Sequence, residues 1–493
     1  MEGKVLLVLS VSVLVVVFSK LKSLLVAKPR HNLPPGPWTL PVIGSLHHLV
    51  TSPNIYRAMR MLAQKHGDLM TLRLGMVPAM VVSSPAGAQE IMKTHDVTFA
   101  DPYVTTTMST LTFDGNDIAW APYGERWRQL RRICVLELFS ATRVRSFWRI
   151  REEEAARLAE NLAACAAGGA AVDLTGMISR FVNDTIVREL VGSRSKYQDE
   201  FLDTVNKAIR QTGLSVADLF PSLRKLMQVL GTSHHTGDDG SHGPWTAAAG
   251  TGSSGLLGVL LRLQKESSIS STPIQLGDDT IVAVMLEMFV AGSDTSSTLL
   301  NWCMTELVRS PEAMAKAQAE VRAAFKGKTT IDEDDLKGLS YLQLVIKEAL
   351  RLHTPGPVLI PRCDVPKGTV VFVNVWAICR DPRYWDDPEE FKPERSGGVQ
   401  ARAVRKQRPR LQGNKLRVPP FGAGRRICPG VNLGVGNIEL ALASLLYHFD
   451  WKLPHGMGPK DVDVCEASGL LASKKTSLIL HPVTRIPPAS AEK

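Results

Sequence analysis

The chain has 493 residues, of which 44% are hydrophobic and 22% charged, and its formal net charge is +10. That balance supports a large core and excludes global disorder. The positive residues form no basic block with interleaved aromatics, so nucleic acid is not expected as a partner; an acidic protein or an anionic membrane suits the excess better.

In chain order, the first informative segment is Val5 to Phe18, apolar except for Ser10 and Ser12. Its length is short for a spanning helix and also fits a secretory core. Lys20, Lys22, Lys28 and Arg30 follow it, against Lys4 and Glu2 before it. The flank richer in Lys and Arg stays cytoplasmic, so residues 1–33 are expected to be a retained N-terminal membrane anchor helix in contact with lipid, with the body, 34–493, on the cytosolic side. Pro34-Pro35-Gly36-Pro37 then forms a stiff, non-helical spacer.

Tyr56 to Gly67 has an amphipathic helical pattern, and Leu69 to Val82 predicts a strand pair turning at Gly75 to Pro78. Ser84-Pro85 opens another helix, with a serine cap and proline in first position. Helical patterns then cover Glu125 to Leu138, Ser146 to Ala167, Leu174 to Val191, Asp279 to Arg309, Pro311 to Phe325 and Tyr341 to His353. Strand-like pieces return only at Thr369 to Val375 and near Leu478. The expected class is mainly α with a small β region. Seven scattered cysteines without a Cys-x-x-Cys pair indicate neither a disulfide framework nor a zinc site, and point to a reducing compartment.

Five local patterns carry chemistry. Trp127 and Arg131, four apart on one helix face, could hold a carboxylate between an indole N–H and a guanidinium, or simply belong to an amphipathic surface helix. Ala291-Gly292-Ser293-Asp294-Thr295-Ser296 is poor helix-interior material; it can open the hydrogen-bond ladder locally and hold water, or be a tolerated kink. Glu348 and Arg351 form an i,i+3 pair of a kind that is often a weak surface bridge. Pro393-Glu394-Arg395 follows. Last comes Pro420-Phe421-Gly422-Ala423-Gly424-Arg425-Arg426-Ile427-Cys428-Pro429-Gly430, a loop built either to present one thiolate to a metal or as a glycine-rich turn around a structural cysteine. Two arginines beside Cys428 are expected to favour its ionised form. No nicotinamide, flavin or phosphate-cradle motif is present in the chain.

Taken in this order, the patterns resemble the cytochrome P450 family over nearly the whole chain. Every position of the family's Phe-x-x-Gly-x-Arg-x-Cys-x-Gly signature is filled. The resemblance implies the cytochrome P450 fold and haem b, with Cys428 as axial iron ligand and Phe421 against the proximal face. It makes Trp127, Arg131, Arg362 and Arg426 propionate contacts. Asp294 and Thr295 become the pair that delivers protons during oxygen activation, and Gly292 leaves room for dioxygen. Glu348, Arg351 and Arg395 become a structural network behind the cysteine loop. The implied partners are O2, a small apolar substrate and NADPH-cytochrome P450 reductase, which would bring electrons from NADPH to a protein at the endoplasmic reticulum membrane. APYGERWRQLRRIC and FVNVWAICRDPRYWDDPEEFKPER look like plant microsomal members, most like grass enzymes of terpenoid or related specialised metabolism.

Three places depart from the family. Gly231 to Gly255 is Gly/Ser-rich where a long helix is expected. Arg362 runs directly into Cys363 to Gly368, shorter than the usual strand and turn. Arg395 is followed by Ser396, and Arg402 to Arg417 holds seven Lys or Arg and no acid. The reading is therefore a membrane-anchored haem-thiolate monooxygenase. The alternatives are a degenerate, non-catalytic membrane protein, or a haem-thiolate isomerase or dehydratase that needs no reductase.

Overall fold

The computed structural model describes residues 33–50, 52–194, 215–221, 255–269, 276–328, 331–354, 358–361, 368–396, 420–467 and 472–488. The apolar anchor run, residues 231–254, Arg362, the basic run over 402–417 and residues 469–471 lie outside them.

Helix α1, Ile55–His66, buries Tyr56, Met59, Leu62 and Ala63 on one face, and Gly67 closes it at φ +105. Strands β1, Leu69–Leu74, and β2, Val77–Val82, pair in antiparallel register from Leu69 opposite Val82 to Leu74 opposite Val77. Ser84 accepts the Gly87 N–H at 3.2 Å and Pro85 opens the short helix Pro85–Gln89, as the Ser-Pro pair predicts. Helix α2, Glu125–Ile133, continues as a π turn over Cys134–Leu138.

Helix α3, Trp148–Ala167, is followed by the two-residue strand β3, Val172–Asp173, and α4, Leu174–Val191. Asp173 caps α4 by accepting the Gly176 N–H, and left-handed Gly192 at φ +91 ends it. Helix α5, Asp278–Arg309, is the longest of the described elements; α6, Pro311–Ala324, and α7, Ser340–Leu352, follow. Strands β4, Val358–Pro361, and β5, Val370–Val373, precede helix α8, Val431–His448, and strands β6, Phe449–Lys452, and β7, Ile479–Thr484.

The sheets are small. One has the order β1-β2-β5-β4, with β2 and β5 parallel and the other pairs antiparallel; the second has the order β3-β7-β6. Three strands, β3, β4 and β6, add to those expected. At two to four residues they are too short for alternation to show, and each exists by pairing with a segment distant in sequence or beyond a long turn. β4 pairs with β5 from Val358 opposite Val373 to Pro361 opposite Val370, so the hairpin forms despite the shortened connection.

Helices α5 and α8 are apolar on nearly all sides and form the centre. α8 buries Leu433, Ile438, Leu440 to Leu446 and Tyr447, and α5 buries Leu299, Leu300, Trp302, Met304 and Leu307. α5 lies against α4 where a Cβ on Gly292 would come 3.0 Å from Ile186, and against α8 where Gly434 faces Ser296. The cysteine loop leads directly into α8, so this crossing sets its place beneath α5.

Candidate active site

The cysteine loop owes its shape to two glycines. Gly422 and Gly424 lie at φ +72 and +66, and a Cβ on Gly424 would sit 1.9 Å from the Met92 carbonyl oxygen. The Cys428 N–H donates to the Phe421 carbonyl at 2.9 Å, closing the loop on itself. Phe421 is half-buried and Cys428 exposed. Of the flanking arginines, Arg425 turns outward onto Asp96, donating from its backbone N–H and Nε, each at 3.2 Å. Arg426 turns inward, away from the sulfur.

That disposition corrects one expectation. Cys428 is accessible to solvent but closely ringed by protein, and this desolvation pushes its thiol above the usual range. The Gly430 N–H and the Arg131 guanidinium pull the other way without prevailing. Arg425 and Arg426 have other partners. The loop alone therefore does not generate a thiolate; a coordinated metal would.

Arg426 donates from Nε to Ala100 O at 2.7 Å, from Nη1 to Ile118 O at 2.9 Å and Ala119 O at 3.0 Å, and from Nη2 to Ala121 O at 2.6 Å. Its guanidinium lies 4.6 Å from the centre of the Trp127 ring, and Trp127 Nε1 donates to the same Ile118 carbonyl at 2.8 Å. Arg131 donates to Ile427 O, beside the cysteine. Among the described residues neither Arg131 nor Arg426 has a carboxylate in ion-pair contact. Burial lowers both, Arg426 to about 10. Such half-buried cations, held by neutral carbonyls, favour an anion that could replace a carbonyl as acceptor.

The opposite wall is α5. It is α-helical throughout Asp278–Arg309, so the expected local opening of its ladder is absent. Thr295 satisfies its hydroxyl within the helix, Oγ1 donating to Ala291 O at 2.6 Å. Ala291 and Thr295, one turn apart, are both exposed on an otherwise largely buried helix. The Asp294 carboxyl has no hydrogen-bonded partner among the described residues, and burial raises it. The missing Cβ of Gly292 admits Ile186 of α4.

In α7, Glu348 and Arg351 are buried and doubly bonded, Arg351 Nε to Oε2 at 3.0 Å and Nη2 to Oε1 at 2.8 Å. Arg395 adds Nε to Glu348 Oε1 at 3.1 Å. Arg351 also holds the carbonyls of Cys379, Pro388 and Glu390, while Arg395 holds those of Asp386 and Asp387. The structure thus brings together Trp127, Arg131, Arg426 and Cys428, and separately Glu348, Arg351 and Arg395. Two acids escaped the sequence analysis. Asp117 and Glu287 lie beside the Arg426 cluster; the signal was a lone Glu in the apolar run of α5.

Comparison with known proteins decides the family. The family model described as Cytochrome P450 matches residues 34–237 and 253–480. The chain belongs to the cytochrome P450 family. The unmatched residues 238–252 fall within the Gly/Ser-rich segment. The chain is 57% identical to dolabradiene monooxygenase of Zea mays over 520 aligned residues, and 52% identical to ent-cassadiene hydroxylase of Oryza sativa subsp. japonica, with 100% of this chain covered in both and 100% and 99% of those proteins. It is also similar to a zebra fish cytochrome P450 solved with abiraterone, at 25% identity and a TM-score of 0.70, over 88% of this chain and 100% of that one. As a P450 monooxygenase it uses haem b, takes electrons from a redox partner, and binds O2 and a small substrate.

The residues fit that cofactor. Among the described residues no cluster of three or more His, Cys, Asp or Glu could hold a metal ion. A porphyrin brings four ligands of its own and needs only the one sulfur from the protein. The donors next to it, Trp127, Arg131 and Arg426, suit two carboxylates.

Proposed function

We propose that this P450 oxidises a terpenoid-like apolar metabolite and that Cys428 is the axial haem ligand. The observation that carries the site is the exposed Cys428 beside Arg131 and Arg426, two guanidiniums without an ion-paired carboxylate among the described residues. The substrate class rests on relatives named dolabradiene monooxygenase, ent-cassadiene hydroxylase and ent-isokaurene C2/C3-hydroxylase, at 57%, 52% and 51% identity.

Haem b supplies dioxygen binding and O–O cleavage, which a thiolate ligand favours. Arg131, Trp127, Arg426 and Arg362 hold the propionates, the first three by exchanging carbonyl acceptors for carboxylate ones. Phe421 shields the sulfur side. Asp294, whose carboxyl is raised by burial and so holds a proton more readily than an exposed one, would relay protons to the oxygen side through Thr295 Oγ1. Glu348, Arg351 and Arg395 fix the ground on which the cysteine loop stands.

The redox partner is NADPH-cytochrome P450 reductase. Arg128 and Arg425 are exposed and both lie 5.7 Å from the Tyr123 ring; with exposed Arg132 they make a basic face next to the cysteine loop. Residues 1–33 anchor the protein in the endoplasmic reticulum membrane with the body in the cytosol. Among the described residues no helix is long and apolar enough to cross a membrane, so the anchor rests on the sequence pattern alone.

The test is a spectrum and an assay. Purified protein should show the thiolate-type spectrum of the reduced, carbon monoxide-bound form, and should convert dolabradiene, ent-cassadiene or ent-isokaurene in the presence of reductase and NADPH. Cys428→Ser should abolish both. A Cys428→Ser protein with the wild-type spectrum and turnover would remove the basis of the assignment.

A further inference from the structure

Glu287 is the only charged residue between Asp279 and Asp294 in α5. It stands two turns before Asp294, on about the same face. Its Oε2 accepts the Ile118 N–H at 2.8 Å. Immediately before Ile118, Asp117 is wholly buried; its Oδ1 accepts the Trp120 N–H at 2.9 Å, and its Oδ2 has no partner. The two carboxyls thus adjoin one peptide, and each lies in the other's field. The carbonyls of the same turn, from Ile118, Ala119 and Ala121, hold Arg426, and that of Ile118 also holds Trp127.

We propose that Glu287 and Asp117 share one proton and act as a positioning pair, holding the 117–121 turn, and through it Arg426 and Trp127, in the pose that receives a haem propionate. The proposal rests on the assignment of Arg426 and Trp127 as propionate donors.

The physical reason is charge. Two ionised carboxylates on one desolvated peptide repel, whereas a proton between them gives Asp117 Oδ2 a donor and leaves Glu287 Oε2 to Ile118. Burial, then repulsion from Asp117, pushes Glu287 up to about 8, and burial pushes Asp117 up to about 6. The other titratable or charged groups facing Glu287 are Arg131 and Cys134 from α2 and its π continuation, and Arg426 and Cys428 from the cysteine loop. Asp101 adds to the field at Arg426.

Because the folded-state value of Glu287 is raised, the proton is held below about 8 and lost above it. Its loss places a second negative charge beside Arg131 and Arg426, in competition with a propionate. Haem retention should therefore weaken as pH rises through that value.

Infrared difference spectra of the haem-loaded protein, and haem transfer to apomyoglobin, test this across about pH 6 to 10. The expected result is a protonated-carboxyl band that disappears with a midpoint near 8 and is missing from Glu287→Gln. Haem transfer should quicken on the order of tenfold over the same range in wild type, the effect of one unit of coupling, and lose that step in Glu287→Gln; in Asp117→Asn, where burial of Glu287 remains but the repulsion is gone, the step should move to lower pH. No Glu287-dependent band at neutral pH, a haem-transfer step that persists in Glu287→Gln, or one that stays in place in Asp117→Asn would overturn the pairing. Failure of the haem assignment itself would look different: the wild type would load no haem at any pH.

Discussion

Two groups of arginines, one at the cysteine loop and one at the end of α7, differ in what faces them. Arg351 and Arg395 share a buried carboxylate, Glu348, within 3.1 Å, and use their remaining donors on backbone carbonyls. Among the described residues, Arg131 and Arg426 have carbonyls but no ion-paired carboxylate, and burial lowers both. An arginine with its counter-charge inside the fold is scaffold. One whose counter-charge must arrive from outside is a binding group, and the cost of leaving it half-buried is met when the anion binds.

That contrast can be broken or sharpened by substitution. The largest effect should come from Glu348→Gln, which takes the counter-charge from buried Arg351 and half-buried Arg395 and should destabilise the protein by about 3–5 kcal/mol. Chemical denaturation would measure it, and the loss should appear whether or not haem is bound. Arg426→Lys should instead spare the haem-free fold more than the loaded one. A single ammonium cannot reproduce the fork, so about 1.5–3 kcal/mol of haem binding should go, seen as faster haem transfer. Equal destabilisation of both forms would erase the distinction between scaffold and binding arginines.

Smaller effects are expected further from the charges. Thr295→Val keeps the shape of the α5 face but removes its hydroxyl. The ratio of product formed to NADPH consumed should fall about tenfold, roughly 1.4 kcal/mol. An unchanged ratio would show that protons travel by another route. Reversing charge at Arg128, Arg132 and Arg425 should slow reductase-supported turnover a few-fold at low salt and little at high salt, because exposed charges are screened. Turnover unchanged at low salt would place the docking face elsewhere.

Local patterns made much of this legible. α4 has the bounds its period predicts, α5 and α7 differ from theirs by about a residue, and Ser84-Pro85 caps a helix as its residue types require. Gly424 was recognisable as a bend, though only the packing shows that the Met92 carbonyl fills the space of a Cβ. The strands β3, β4 and β6 were not legible, since each depends on a partner elsewhere in the chain. Nor were the partners of Arg425 and Arg426: adjacent residues turned to opposite sides, one to Asp96 and the other to the 118–121 turn. Adjacency to Cys428 suggested help in ionising it, and direction removed that help.

The order of the motifs and the residue types in the cysteine loop by themselves determined the family and its haem chemistry, and singled out Cys428 as the sulfur proposed to hold the iron. These are fixed because a thiolate ligand, tight glycine turns and a Glu-Arg pair are properties of residue type and short spacing. Only the tertiary structure decided which charges cancel and which wait for a ligand. Desolvation and counter-charge depend on which distant segments meet, and so Glu287 and Asp117 acquire meaning only once α5 lies against the turn that holds Arg426.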